Sequence, residues 1–254
     1  MFTISAAELD AWLAGFFYPF VRIAALASSA PLFSHRSIPR PTRLALCVLI
    51  TIVVAPTLAP VPFVSPFSAP GVVLIIQQLL IGVAIGFTMQ IVFAAVELAG
   101  ELIGLQMGLS FATFVNADAD PTPIVGSFLT VTMMLVFLAI NGHLALIAGV
   151  ADSFASFPVD GGPGIVFFDV RALVLTGREL FSLGVTMALP VIAAMLLANL
   201  SLGVLTRTAP QLNLFAIGFP VTLATGLAML ALAMPFIVPA MEQALLRGLS
   251  LVLR

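Results

Sequence analysis

Six stretches of this chain, more than half of its residues, are each about long enough and apolar enough to cross a bilayer. They are Ala11–Phe33, Leu44–Val64, Val72–Val96, Phe128–Val150, Leu180–Leu205 and Leu212–Val238. A spanning helix needs roughly 20 mostly apolar residues. Backbone exposed to lipid finds no water, so it must satisfy its hydrogen bonds within its own segment. The runs therefore predict helices and not strands, in an all-α, multi-span integral membrane protein. Composition supports this, with 61% hydrophobic and 8% charged residues and a mean hydropathy of +1.23. A soluble domain carries about 25% charged residues. This chain lacks the polar surface to meet water on all sides, so lipid or apolar partner surface must cover the rest.

The few charges are informative. All nine basic residues are Arg, and the net charge of -2 gives no reason to expect nucleic acid. Arg keeps its charge and forks to carboxylates, which suits fixed pairing at membrane depth. The single Cys47 excludes an intramolecular disulfide and a cysteine metal cluster. It reads as a small buried hydrophobe. Met1–Asp10 carries Glu8 and Asp10 and no basic residue, so the first run reads as a retained helix and not a cleavable signal.

Topology resists a routine reading. Arg36, Arg40 and Arg43 place the first connection on the cytoplasmic side by the positive-inside rule. Strict alternation would put the Glu97–Pro123 connection there too, yet it carries Glu97, Glu101, Asp118 and Asp120 and no basic residue. It would also place Arg171, Arg178, Arg247 and Arg254 outside. Either some runs are re-entrant hairpins, or much of the apolar surface packs on other subunits.

The third run points the same way. No proline interrupts the 39 residues from Gly71 to Leu109. A straight helix of that length would reach about 58 Å, well beyond the roughly 30 Å hydrocarbon core. It must leave the bilayer, bend or form a hairpin. Gly82 and Gly86, then Gly100, Gly104 and Gly108, recur four apart. That spacing makes a groove where another helix backbone can approach, within the chain or in a neighbouring subunit.

Glu97 and Glu101 lie one turn apart on one helix face and repel when both are ionised. Gln90 falls on the same stripe. Acids beside apolar runs are costly and usually have a partner, which predicts charged contacts to Arg residues; the alternative is a solvated helix end. Met107, Phe111 and Phe114 are spaced four and three, so a helix would align them. Such a stripe is either core packing or a deformable apolar seal, since thioethers and rings repack easily. A polar loop broken by Pro121 and Pro123 follows.

From these residues onward the chain resembles the FliR family of flagellar export-gate subunits. Gly100–Phe114 looks like the family's pore-plugging loop, which lies here near 105–123. Asn141-Gly142-His143, Asp152-Ser153-Phe154 and Pro158 resemble its central block, and Arg207–Pro220 its C-terminal signature. Arg22, Pro31, Pro39 and Arg43 fit its N-terminal pattern. The two acids Asp118 and Asp120 before Pro121 depart from it. The resemblance covers the chain as one domain, 1–254. It implies helical hairpins, with a FliP-like part fused to a FliQ-like part. It also implies assembly with FliP and FliQ, contact with FlhB, and passage of unfolded rod, hook and filament proteins through an inner-membrane conduit in the flagellar basal body. Met107, Phe111 and Phe114 would then seal the pore. Gly100, Gly104 and Gly108 would form a packing seam, and Glu97, Glu101 and Arg207 would make charged subunit contacts. A virulence-type injectisome subunit is the homologous alternative.

Other classes fare worse. A small-molecule transporter would also show broken helices and buried acids, but no substrate-binding signature is present. Ser110 lies in Gly-Leu-Ser-Phe-Ala, without the second glycine of a nucleophile elbow. His143, alone in an apolar run, reads as a hydrogen-bonded packing residue. No phosphate-binding Gly-Lys-Ser/Thr loop occurs. A non-enzyme without cofactor or metal is expected.

Overall fold

A computed structural model describes residues 6–35, 37–58, 64–109, 123–159, 170–208 and 214–252. Every regular element among them is helical. In chain order these are α1 (Ala6–Ser29), the short α2 (Pro31–Ser34), α3 (Arg40–Val54) with a 3-10 turn at Ala55–Thr57, and α4 (Ala69–Gln106). Then come α5 (Ile124–Ala139), α6 (Gly142–Ser156), α7 (Val170–Thr208) and α8 (Leu214–Val252).

Prolines mark the starts. Pro31, Pro41 and Pro70 sit in the first two positions of α2, α3 and α4, where the missing N–H is an orphan anyway. Pro190 in α7 and Pro220, Pro235 and Pro239 in α8 lie inside helices. Apolar membrane helices tolerate this because neighbouring groups re-satisfy the freed carbonyls.

The third run is one uninterrupted helix of 38 residues, which excludes a hairpin there. It is apolar around its whole circumference, the pattern of a helix surrounded by other apolar groups. Its most apolar window is 56% buried, against 17% in α3, 17% in α7 and 22% in α8. Those three leave most of their apolar surface for lipid or other subunits. The fourth run is not one helix. It breaks at Ile140–Asn141, where Asn141 adopts a left-handed φ of 56°, a conformation Asn tolerates better than other side-chain-bearing residues. Among the described residues four helices are long and apolar enough to cross a membrane, and α5 with α6 makes a fifth if the pair counts as one span.

The chain forms two compact units. One comprises Met1–Ile91, Asn141–Leu175 and Leu246–Arg254, and the other Val92–Ile140 and Thr176–Leu245. In the first, α1 packs on α3 and α4. Tyr18 is fully buried and donates its hydroxyl to the Val64 carbonyl at 2.8 Å. A Cβ on Gly82 would run into the Arg22 carbonyl oxygen and lie 2.7 Å from Ala25 Cβ, so α1 and α4 meet backbone to backbone. Cys47 lines an apolar pocket with Ile23, Ala27 and Val150. In the second unit Ile103, Met107, Leu129, Met133 and Met195 are buried to the last percent, and Phe93 meets Phe137 edge-on at 6.0 Å.

Candidate functional site

The sequence singled out the C-terminal end of α4, which lies in the second unit. Gly100 crosses α5 at Gly126 so closely that an added Cβ would enter Gly126 Cα and stand 2.6 Å from its nitrogen. One turn on, Gly104 has room: the nearest atom to an added Cβ is Val125 Cγ2 at 3.9 Å. Gly108 faces a different task. Its φ is 78°, its N–H donates to Leu105 at 3.1 Å, and the Leu109 N–H donates to Gly104 at 3.1 Å. That pair of bonds is the Schellman closure, which satisfies the last carbonyls of a helix and requires a left-handed residue. The four-residue glycine spacing thus combines a crossing, an open position and a helix stop.

The stop also corrects the expected alignment. A helix running through Met107, Phe111 and Phe114 is interrupted at Gly108, because a left-handed residue turns the chain out of the helical path. Met107 itself is completely buried. Its side chain occupies the space a Cβ on Gly226 of α8 would need, with Cε 2.9 Å from that position. Phe111 and Phe114 lie outside the described residues. Beside Gly108 a groove of about 650 Å³ opens, lined among others by Gln106, Asn199, Thr206, Phe219 and Thr222.

Gln90, Glu97 and Glu101 are exposed on one face of α4, and Arg207 is exposed in the last turn of α7. A cation there suits the negative end of the helix dipole. Among the described residues no ion pair reaches any of the three charged groups, and no cluster of His, Cys, Asp or Glu is placed to hold a metal. The Nδ1 of His143 is buried without a hydrogen-bond partner, so the bond expected for it is not made through that atom.

Sequence reasoning did not single out the most elaborate polar cluster, which lies in the first unit. Arg22 is 0% exposed in the middle of α1. Its Nε donates to Gln78 Oε1 of α4 at 2.7 Å, Nη1 to Ser153 Oγ of α6 at 2.9 Å, and Nη2 to the Phe157 carbonyl at 2.7 Å. Its guanidinium carbon sits 3.8 Å over the centre of the Phe154 ring. The guanidinium thus caps the carboxyl end of α6, where a cation meets unpaired carbonyls and the negative end of the dipole. It also forces the orientation of Gln78, because only the amide oxygen can face an N–H. The Gln78 Nε2 is consequently buried without a partner. The available signal was an arginine inside an apolar run, together with Ser153-Phe154 far along the chain. Nothing local joins them.

These features define a multi-helix membrane protein whose helices cross at glycines and whose one fully buried cation among the described residues ties three elements together. Residues 13–248 match the family of bacterial export proteins, family 1. The chain is 46% identical to the flagellar biosynthetic protein FliR of Pectobacterium carotovorum, over 95% of this chain and 92% of that one. It is 44% identical to the protein of that name from Escherichia coli K12, with the same coverage. The Bacillus subtilis protein of that name is 29% identical over 87% of this chain and 86% of its own length. The chain belongs to this FliR family of bacterial export proteins.

Proposed function

We propose that this chain is a subunit of the flagellar type III export gate in the inner membrane, and forms part of the conduit for unfolded rod, hook and filament proteins. The observation that carries the reading is the family match along nearly the whole chain, to relatives whose printed names are flagellar. Those names favour the flagellar system over an injectisome. The poorly buried apolar windows of α7 and α8 supply the surface that FliP, FliQ and FlhB would cover. Glu97, Glu101 and Arg207, exposed and without an ion pair among the described residues, would meet charges on those subunits in this reading. The role is structural and not enzymatic.

Closure of the conduit falls to Met107, Phe111 and Phe114 in this reading. Bulky apolar side chains exclude water from a constriction and yield to a passing chain without binding it strongly. Met107, seated at Gly226, anchors one end of the segment that carries the two rings. The experiment has two readouts in a strain lacking its own FliR. The wild-type chain should restore swimming and co-purify FliP and FliQ in gentle detergent. Phe111→Ser with Phe114→Ser should still co-purify them, while small-solute uptake rises. Failure to co-purify either partner overturns the gate assignment; an assembled double variant that stays tight overturns the seal alone.

A further inference from the structure

The amino end of α3 carries a feature that export does not explain. Arg40 and Arg43 are three apart on one helix, so their side chains are neighbours of like charge. Among the described residues no carboxylate pairs with either. Arg40 is exposed. Arg43 is partly buried, yet its Nε has no partner, and its Nη2 reaches only the His35 carbonyl, at 3.4 Å. The N-cap residue is Pro39, which offers no side chain to the free first-turn donors. This corner holds positive charge that no carboxylate faces among the described residues.

An apolar ridge begins at the same point. Arg40, Leu44, Val48 and Ile52 follow one row of four-residue steps along α3. Leu44 is 56% exposed and Ile52 54%. From Arg40 to Ile52 the helix rises about 18 Å, close to one leaflet of a hydrocarbon core roughly 30 Å thick. A cationic end continuous with an exposed apolar ridge of leaflet depth has the shape of a phospholipid. A free phosphate would use only the first part, and the ridge would go unexplained.

We propose that Arg40 and Arg43 seat the headgroup of an anionic phospholipid whose acyl chain lies along Leu44, Val48 and Ile52. The planar guanidinium forks match phosphate oxygens two at a time. The site needs only that α3 borders lipid, so it stands or falls separately from the export reading.

The test uses the full chain in mild detergent with equal amounts of phosphatidylglycerol and phosphatidylcholine, and native mass spectrometry of the lipids retained. The wild type should hold phosphatidylglycerol preferentially. Arg40→Gln and Arg43→Gln should each lower that preference about fivefold, taking each basic residue near the bilayer surface as worth about 1 kcal/mol. Arg40→Lys should keep most of it. Arg247→Gln, an exposed arginine on α8, should change nothing, and excess inorganic phosphate should not strip the lipid. Because Arg40 is exposed and unbonded among the described residues, Arg40→Gln should unfold at the wild-type temperature, so that its lipid ratio is interpretable. Equal retention of both lipids by the wild type overturns the proposal, as does an Arg40→Gln ratio that matches it. An equal loss in Arg247→Gln would mean diffuse charge attraction, displacement by phosphate a simple anion site, and a protein subunit retained in place of lipid a protein interface; each also overturns it.

Discussion

The Arg22 cluster and the Gly100–Gly126 crossing solve the same problem by opposite means. Both hold helices together in a chain whose partners and solvent are largely apolar, where burying apolar surface discriminates weakly between the right neighbour and lipid. In the first unit, a guanidinium reaches out in three directions and lies over a ring. In the second, the side chains are absent and two backbones touch. The first contact is specific because hydrogen bonds have direction, and the second because only two glycines fit. The polar tie fails when any acceptor is orphaned, whereas the close crossing fails when a single atom is added.

The largest expected effect breaks the polar side of this comparison. Arg22→Ala should lower stability by about 3 kcal/mol, since it leaves the buried Gln78 oxygen and Ser153 hydroxyl oxygen without their donor at about 1–3 kcal/mol each. Arg22→Lys should lose nearly as much, because a point charge cannot reproduce a planar fork over Phe154. Unfolding midpoints in mild detergent measure both. A Lys variant as stable as the wild type would mean that charge alone, and not the fork, holds α1 to α6.

Next comes the crossing. Gly100→Ala puts a methyl group into Gly126 backbone, which cannot rotate away, so α4 and α5 must separate at a cost of about 1–3 kcal/mol. An unchanged midpoint would show that this crossing is looser than described.

The smallest effect sharpens the contrast. Gly104→Ala adds the same methyl one turn away, where Val125 Cγ2 at 3.9 Å leaves space. Ala is the better helix former by about 1 kcal/mol, so the midpoint should hold or rise. A loss as large as that of Gly100→Ala would mean the whole glycine row is a tight seam.

Much of the helix content was legible in the sequence. Long proline-free apolar runs leave the backbone no partner but itself, so helix was expected over the third run, although hydropathy left open whether it ran on as α4 does or folded into a hairpin. Boundaries within apolar sequence were not. Asn141 stops one helix and begins another inside a run that hydropathy reads as continuous, because a single φ value leaves no mark on an average. The glycine row shows the same limit at the candidate site. Its spacing predicted a seam, but one residue is a crossing, one is open and one ends the helix.

What the sequence determined by itself, then, is the class of environment and the material of the structure: helices, an apolar milieu, and kinship with the FliR family through motifs along the chain. What only the tertiary structure decided is which groups meet. Arg22 and Ser153 are joined across 131 residues, and Met107 finds its seat at Gly226. The physical reason is that helix formation is local, written in each segment's own hydrogen bonds and hydropathy. The pairing of one helix with another depends on a few atoms of direction and space that no single segment contains.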